Sequence, residues 1–334
     1  MHDKEDGTSR VLPLIDGFLT ARSTRKPSVH TVHAYRRDLT TIATLVADDP
    51  TTPLPPDELT IAHLSPRALR AAFARFAATR APASISRAWS TWNTFFAFLV
   101  TDGVVPGNPM SAVDKPRATV ATPKPLRGEH TPEELLHAVA GDPSPGQRHP
   151  WPERDLAVLA LALCAGLRLS ELLALRVGCL AGRPGERRLE VAGKGGRPRT
   201  VPIEPELDAV VAAYLDSRRR RFGSRRLTST AVLLVDRHGE PLRRGGLQYL
   251  VESCYRRAGI TDRVPRGAQL HALRHTFATR LAEDGANASE IMRLLGHASL
   301  TTSQNYIEVT AGQQRAAVRA VRTHRALAQL TART

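Results

Sequence analysis

His271-Ala272-Leu273-Arg274-His275-Thr276-Phe277-Ala278-Thr279 is the stretch that decides how this chain is understood, together with Gly296-His297 and Tyr306 beyond it. His271 and Arg274 are three residues apart and share a helical face. His271 and His275 are four apart, which also suits a metal pair. No Glu stands between them in HExxH order and no cysteine lies nearby, so zinc is a poor match. His297, after Gly296 at the end of an apolar helix, has an ordinary alternative as an imidazole interacting with the helix dipole. Tyr306 lies in the polar run Thr301-Thr302-Ser303-Gln304-Asn305, where a lone tyrosine would mean little.

Two further residues stand upstream. Arg168 falls between a helix break at Gly166 and a cap at Ser170, after the apolar run Asp155 to Ala165. An arginine there is partly buried and needs an anion. Glu171 supplies one, either as a structural partner or as the group that turns Arg168 toward a phosphate. Lys194 is one of five lysines against 42 arginines, and the only one after Lys124. It sits in Gly193-Lys194-Gly195-Gly196, between Arg188-Leu189-Glu190-Val191 and Thr200-Val201-Pro202-Ile203. Both runs alternate with period two, so the glycines mark a hairpin tip. Lysine, unlike arginine, can release its proton and serve as a general acid. An ordinary exposed turn lysine fits the tip equally well. A phosphate-binding P-loop fits poorly, because the GxxxxGK[ST] spacing is missing.

The chain of 334 residues carries a net charge of +15, with 42% hydrophobic and 24% charged residues, which describes a globular protein with a polyanionic partner. The excess runs through both halves: residues 1–125 hold 15 Lys and Arg against 11 Asp and Glu, and residues 126–334 hold 32 against 21. Cys164, Cys179 and Cys254 form no CxxC pair and are odd in number, so a disulfide framework or zinc cluster is not expected. A reducing cytoplasm is the simpler setting. The polar start Met1-His2-Asp3-Lys4-Glu5-Asp6-Gly7 is not a signal peptide. The apolar run Leu156 to Leu167 is too short to cross a bilayer.

About two domains are expected from the length. A flexible N-terminus covers residues 1–9. Residues 10–110 form a helical unit, with Val11, Leu14, Ile15, Phe18 and Leu19 at helical spacing, a second helix over 28–47, a third after Ser65-Pro66 and a fourth from Ser84 to Gly103. The aromatic stripe Trp89, Trp92, Phe95 and Phe96 is assigned to the bundle core rather than to base stacking. Residues 111–130, rich in Pro with Lys115, Arg117, Lys124 and Arg127, form a basic extended linker. Residues 131–310 form a second unit that opens on Thr131-Pro132-Glu133-Glu134. It continues with helices over 205–222, 246–258, 271–284 and 288–295. Residues 311–334 form a terminal helix and tail.

Taken together, these residues suit phosphoryl transfer. Two arginines give permanently charged planar forks for phosphate oxygens. A tyrosine hydroxyl, with a reference pKa of about 10, needs a base or nearby cations to act as a nucleophile. Histidines take and return protons, and a lysine protonates the leaving oxygen. No metal or cofactor is required, because a tyrosyl phosphate bond conserves the phosphodiester energy.

Four blocks carry a family resemblance. Ala165-Gly166-Leu167-Arg168-Leu169-Ser170-Glu171-Leu172 resembles the first-arginine box of the tyrosine recombinases, or phage integrase family, and Val191 to Arg199 resembles its lysine hairpin. His271 to Thr279 resembles its HxxR box, and Leu295 through Tyr306 its terminal box. The whole is similar to the two-domain Xer-like members. One departure is Ile307-Glu308, where the family often has Thr-His.

The resemblance implies a mainly α protein. An N-terminal helical bundle (a SAM-like core-binding domain) would precede an α+β catalytic domain with a small antiparallel sheet. It implies Arg168 and Arg274 on a scissile phosphate, Lys194 as general acid, His271 and His297 in proton transfer and phosphate contact, and Tyr306 forming a 3′-phosphotyrosyl link. Glu171 and His275 would support them. The implied partner is double-stranded DNA, bound by a homotetramer on two synapsed duplexes, with a second recombinase or an accessory factor as an option. Two alternatives share these residues: a type IB topoisomerase-like nicking-resealing enzyme, and a catalytically inactive DNA-binding regulator.

Overall fold

The computed structural model describes residues 9–24, 29–116, 123–141, 150–183, 185–193, 198–223, 227–296, 300 and 303–307. The chain divides into two units, Met1–Val120 and Ala121–Thr334.

The first unit is built on four helices: α1 (Val11–Ser23), α2 (Val29–Ala47), α3 (Pro66–Thr79) and α4 (Pro82–Thr101). Helix α3 starts as its sequence dictates, with Pro66 at the first position and the Ser65 hydroxyl accepting from the Ala68 N–H at 3.2 Å. Helix α4 begins at Pro82, two residues before Ser84, because proline is preorganised for a first turn. Its aromatic stripe is core: Trp92 and Phe95 are fully buried, and Phe18 of α1 meets Phe95 edge-on at 5.5 Å. Trp89 is only partly buried at the edge, where its indole N–H donates to the Val113 carbonyl. A buried carboxylate sits among these apolar groups, paired with an arginine at the surface. Asp38 of α2 is 2% exposed and accepts both forks of Arg87 from α4, at 2.8 and 2.9 Å. Ser9, assigned from sequence to the flexible N-terminus, is tied down: its carbonyl accepts from the Ile61 N–H at 3.0 Å.

The second unit wraps around α6 (Pro152–Cys164), whose Val158, Leu159, Leu161 and Ala162 are all fully buried. A helix apolar on every side must be enclosed. Here α5 (Thr131–Ala140), α8 (Pro205–Phe222), α9 (Arg244–Arg257) and α10 (Gln269–Glu283) pack against it. The short helix α7 (Leu169–Ala174) follows α6, and α11 (Ala288–Leu295) follows α10. Residues 303–307 form a further helical turn.

The sheet has three antiparallel strands in the order β1 (Leu180–Ala181), β2 (Arg188–Val191) and β3 (Arg199–Pro202). Strand β1, two residues long, has no alternation to announce it. Leu189 pairs with Val201, and Val191 pairs with Arg199. The period of two turns Leu189, Val191 and Val201 inward, and it turns Arg199 inward with them.

The basic stretch 111–130, expected as an extended linker, is partly absorbed into the two cores. Val113 is buried in the first unit and Leu126 in the second. The Leu126 N–H donates to the Thr276 hydroxyl at 2.9 Å, and the Arg127 N–H to the Arg263 carbonyl at 3.0 Å. The apolar residues Val113 and Leu126 override the proline signal. The expected terminal helix over 311–330 lies outside the described residues.

Candidate active site

Glu171 lies in the first turn of α7 and is 6% exposed. Its carboxylate gathers three arginines. Arg168 donates its backbone N–H at 2.8 Å and its Nη1 at 2.8 Å. Arg199 donates Nη1 and Nη2, one to each carboxylate oxygen, at 2.7 and 2.8 Å. Arg274 Nη1 stands 3.7 Å from Oε2. Burial alone would raise the pKa of Glu171. The Arg199 hydrogen bonds and those from the Arg168 backbone and side chain outweigh it and lower it to about 2. The helix cap therefore comes from Glu171 itself, with Arg168 at the N-cap position, and not from Ser170 as the sequence predicts.

The same three arginines converge a second time. The last carbonyls of a helix have no partner within it. At the end of α11, the Leu294 carbonyl accepts from Arg199 Nε at 2.7 Å, and the Leu295 carbonyl from Arg274 Nη2 at 2.6 Å. The Gly296 carbonyl accepts from Arg168 Nη2 at 3.1 Å. Gly296 is left-handed, with φ of 62°, and so ends the helix. The negative end of the α11 dipole adds to this attraction.

Arg274 occupies the buried face of α10, between Leu270 and Ala278. Its Nη1 also donates to the Gly166 carbonyl at 2.5 Å. Gly166 ends the α6 segment with φ of 58°, and a Cβ there would lie 2.3 Å from Phe277 Cδ1, so only glycine fits. Burial, and then the charge of Arg168, lower the Arg274 pKa to about 9, which leaves it charged at neutral pH.

Tyr306 and His275 form the second half of the site. The tyrosine is 4% exposed and packs with Ala278, Ala282, Ile291 and Leu295. Its hydroxyl is 2.6 Å from His275 Nδ1. Burial raises the Tyr306 pKa, and the charges of Arg274 and Arg168 pull against that rise. Burial, with His271, Arg274 and Lys124 nearby, lowers the His275 pKa to about 4. The imidazole is therefore neutral at pH 7. His271 is at the surface, 6.1 Å from His275 between ring centroids. Partial desolvation of its ring, followed by the charges of Arg274, Arg168 and Arg244, lowers its pKa.

Of the residues singled out from sequence, Arg168, Glu171, His271, Arg274, His275 and Tyr306 are brought together. Lys194 and His297 lie outside the described residues. The sequence motifs do not single out Arg199, although its signal is there: β3 alternates, and Arg199 falls on the apolar phase with Val201. Chemically, three guanidinium groups around one carboxylate leave excess positive charge for an anionic oxygen. Beside them, a phenol touches a neutral imidazole.

Residues 129–313 match the model of the phage integrase family. The chain is 32% identical over 277 residues to the tyrosine recombinase XerD of Lacticaseibacillus casei, covering 83% of this chain and 87% of that one. It is 32% identical over 307 residues to the tyrosine recombinase XerC of Mycobacterium bovis, covering 92% and 96%. Its fold is similar to that of the XerH site-specific recombinase in a post-cleavage complex with a palindromic difH substrate. The TM-score is 0.71 at 16% identity, over 95% of this chain and 98% of that one. On these matches the chain belongs to the phage integrase family, the tyrosine recombinases.

Proposed function

We propose that this protein is a site-specific DNA recombinase that cuts and rejoins strands through a 3′-phosphotyrosyl intermediate, acting as a tetramer on two duplexes. The observation that carries this reading is the convergence of Arg168 and Arg274 on Glu171 and the end of α11, next to the Tyr306–His275 contact. The net charge of +15 supports a DNA partner, and the XerC and XerD relatives support recombination. A lambda integrase of similar fold, with a TM-score of 0.66, was solved as a tetramer on a Holliday junction, which supports the assembly.

In the proposed step, the Tyr306 oxygen forms a bond to phosphorus as the bond from phosphorus to the 5′-oxygen breaks. The phenolic proton passes to solvent, with His275 holding the tyrosine through the contact at its hydroxyl. His271 and His297 assist, and Lys194 protonates the leaving 5′-oxygen. Arg168 and Arg274 hold the non-bridging oxygens as charge develops. One phosphodiester is exchanged for another, so the chain needs no nucleotide or cofactor for the strand to be resealed.

The test is to denature cells expressing the wild type or Tyr306→Phe, recover the protein and sequence any covalently attached DNA. Adducts at one recurring sequence, absent from the variant, are expected. Adducts scattered without consensus would favour a topoisomerase-like enzyme. A Tyr306→Phe protein that still forms adducts would remove the tyrosine from its role.

A further inference from the structure

We infer that Arg199 is a positioning residue for the proposed strand cleavage: it holds Glu171 against Arg168 and clamps the last turn of α11, the segment that leads directly into His297. This rests on the recombinase reading of the site.

The geometry is that of a clamp with three donors. Arg199 is 9% exposed and lies on the inward face of β3. Nη1 and Nη2 each take one oxygen of Glu171, while Nε takes the Leu294 carbonyl. The planar guanidinium makes these three bonds at once, whereas an ammonium is a point charge. The side chain also packs where α11 ends, with Cδ 3.1 Å from the position a Gly296 Cβ would take.

Glu171 has two oxygens and three cations around it, and Arg199 decides how they are shared. With Arg199 bidentate, Arg168 keeps Oε1 at 2.8 Å and Arg274 stays back at 3.7 Å. Without it, the carboxylate is free to close on Arg274 and let Arg168 turn away. The pull of Arg199 also keeps the carboxylate ionised against the cost of burial. The bonds described for Arg199 go to Glu171 and to the end of α11, and it acts through them.

The test uses the full chain, the DNA target recovered from the wild-type adducts, and three variants: Arg199→Met, Glu171→Gln and the double variant. Two readouts are taken. One is single-turnover adduct formation between pH 5 and 8, with DNA affinity measured alongside. The other is the ¹³C titration of the Glu171 carboxyl in the free protein. Arg199→Met is expected to slow cleavage by about 100-fold, the effect of a small misplacement of a catalytic group, with affinity little changed. Its Glu171 should titrate at higher pH than in the wild type, and cleavage should gain an acid limb. The double variant should lose less than the sum of the two single losses, because the two residues share one contact. Wild-type rates in Arg199→Met, an unmoved titration, or additive losses would each overturn the inference. If Arg199→Met does not fold, Arg199→Lys carries the same readouts, since it keeps the charge and loses the fork. A wild type that forms no adduct counts against the recombinase reading, and the titration alone then decides whether Arg199 holds Glu171.

Discussion

The Tyr306 hydroxyl and His275 Nδ1 are 2.6 Å apart, in a pocket where the tyrosine is only 4% exposed. Desolvation first, and then the neighbouring cations, hold the imidazole neutral. Its folded pKa of about 4 lies below the ordinary 6.5. Between those values the unfolded chain binds the extra proton, so this contribution to stability is full above pH 6.5 and is lost as pH falls through 4. NMR titration of the His275 ring should therefore show no protonation at pH 6, and His275→Gln should flatten the stability profile in that window. A ring that titrates near 6.5 would contradict the buried contact.

Glu171 acts in a lower window. Its folded pKa of about 2 is below the reference of 4.5, so its stabilisation is present above pH 4.5 and fades as pH falls toward 2. Glu171→Gln should destabilise the protein by about 3–5 kcal/mol at pH 7, because Arg199 and Arg274 stay buried without their anion. Urea unfolding at pH 7 and pH 3 checks both statements: the gap between variant and wild type should narrow at pH 3.

Arg168→Lys separates geometry from charge. Arg168 reaches the Glu171 carboxylate with one nitrogen and the Gly296 carbonyl with the other. A lysine keeps the charge but cannot span both. Adduct formation should fall by about 100-fold or more, the usual effect of losing one oriented donor. The side chain is 29% exposed, so the thermal midpoint should move little. A cleavage rate near that of the wild type would return Arg168 to a purely structural role.

Gly166→Ala tests the helix break. The left-handed backbone and the 2.3 Å approach to Phe277 leave no room for a methyl group. Overpacking of this kind costs about 1–3 kcal/mol. The Gly166 carbonyl also holds Arg274, so cleavage should fall together with the melting temperature.

Much of this arrangement is legible in the sequence, because it rests on local signals. The helical phase of His271, Arg274 and His275, the break at Gly166 and the Pro66 helix start all depend on neighbours in the chain. The hidden part depends on long-range partners. The Glu171–Arg199 pair spans 28 residues, and Arg199 to Leu294 spans 95. The alternation of β3 places an arginine on the core side, but the sequence does not say which acceptors justify it. Asp38 and Arg87 are a similar case, since 49 residues separate a buried carboxylate from its cation. Leu126 reads as linker by its neighbours and becomes core only when Thr276 meets it.

The three consecutive carbonyls at the end of α11 place a constraint on length. Each residue added to a helix rotates the downstream chain by about 100° and advances it by about 1.5 Å. One insertion or deletion between the Asn287 cap and Gly296 would therefore move Leu294, Leu295 and Gly296 away from Arg199, Arg274 and Arg168 together. The outer face of this helix can vary in composition, but its residue count is fixed by three partners that lie elsewhere in the chain.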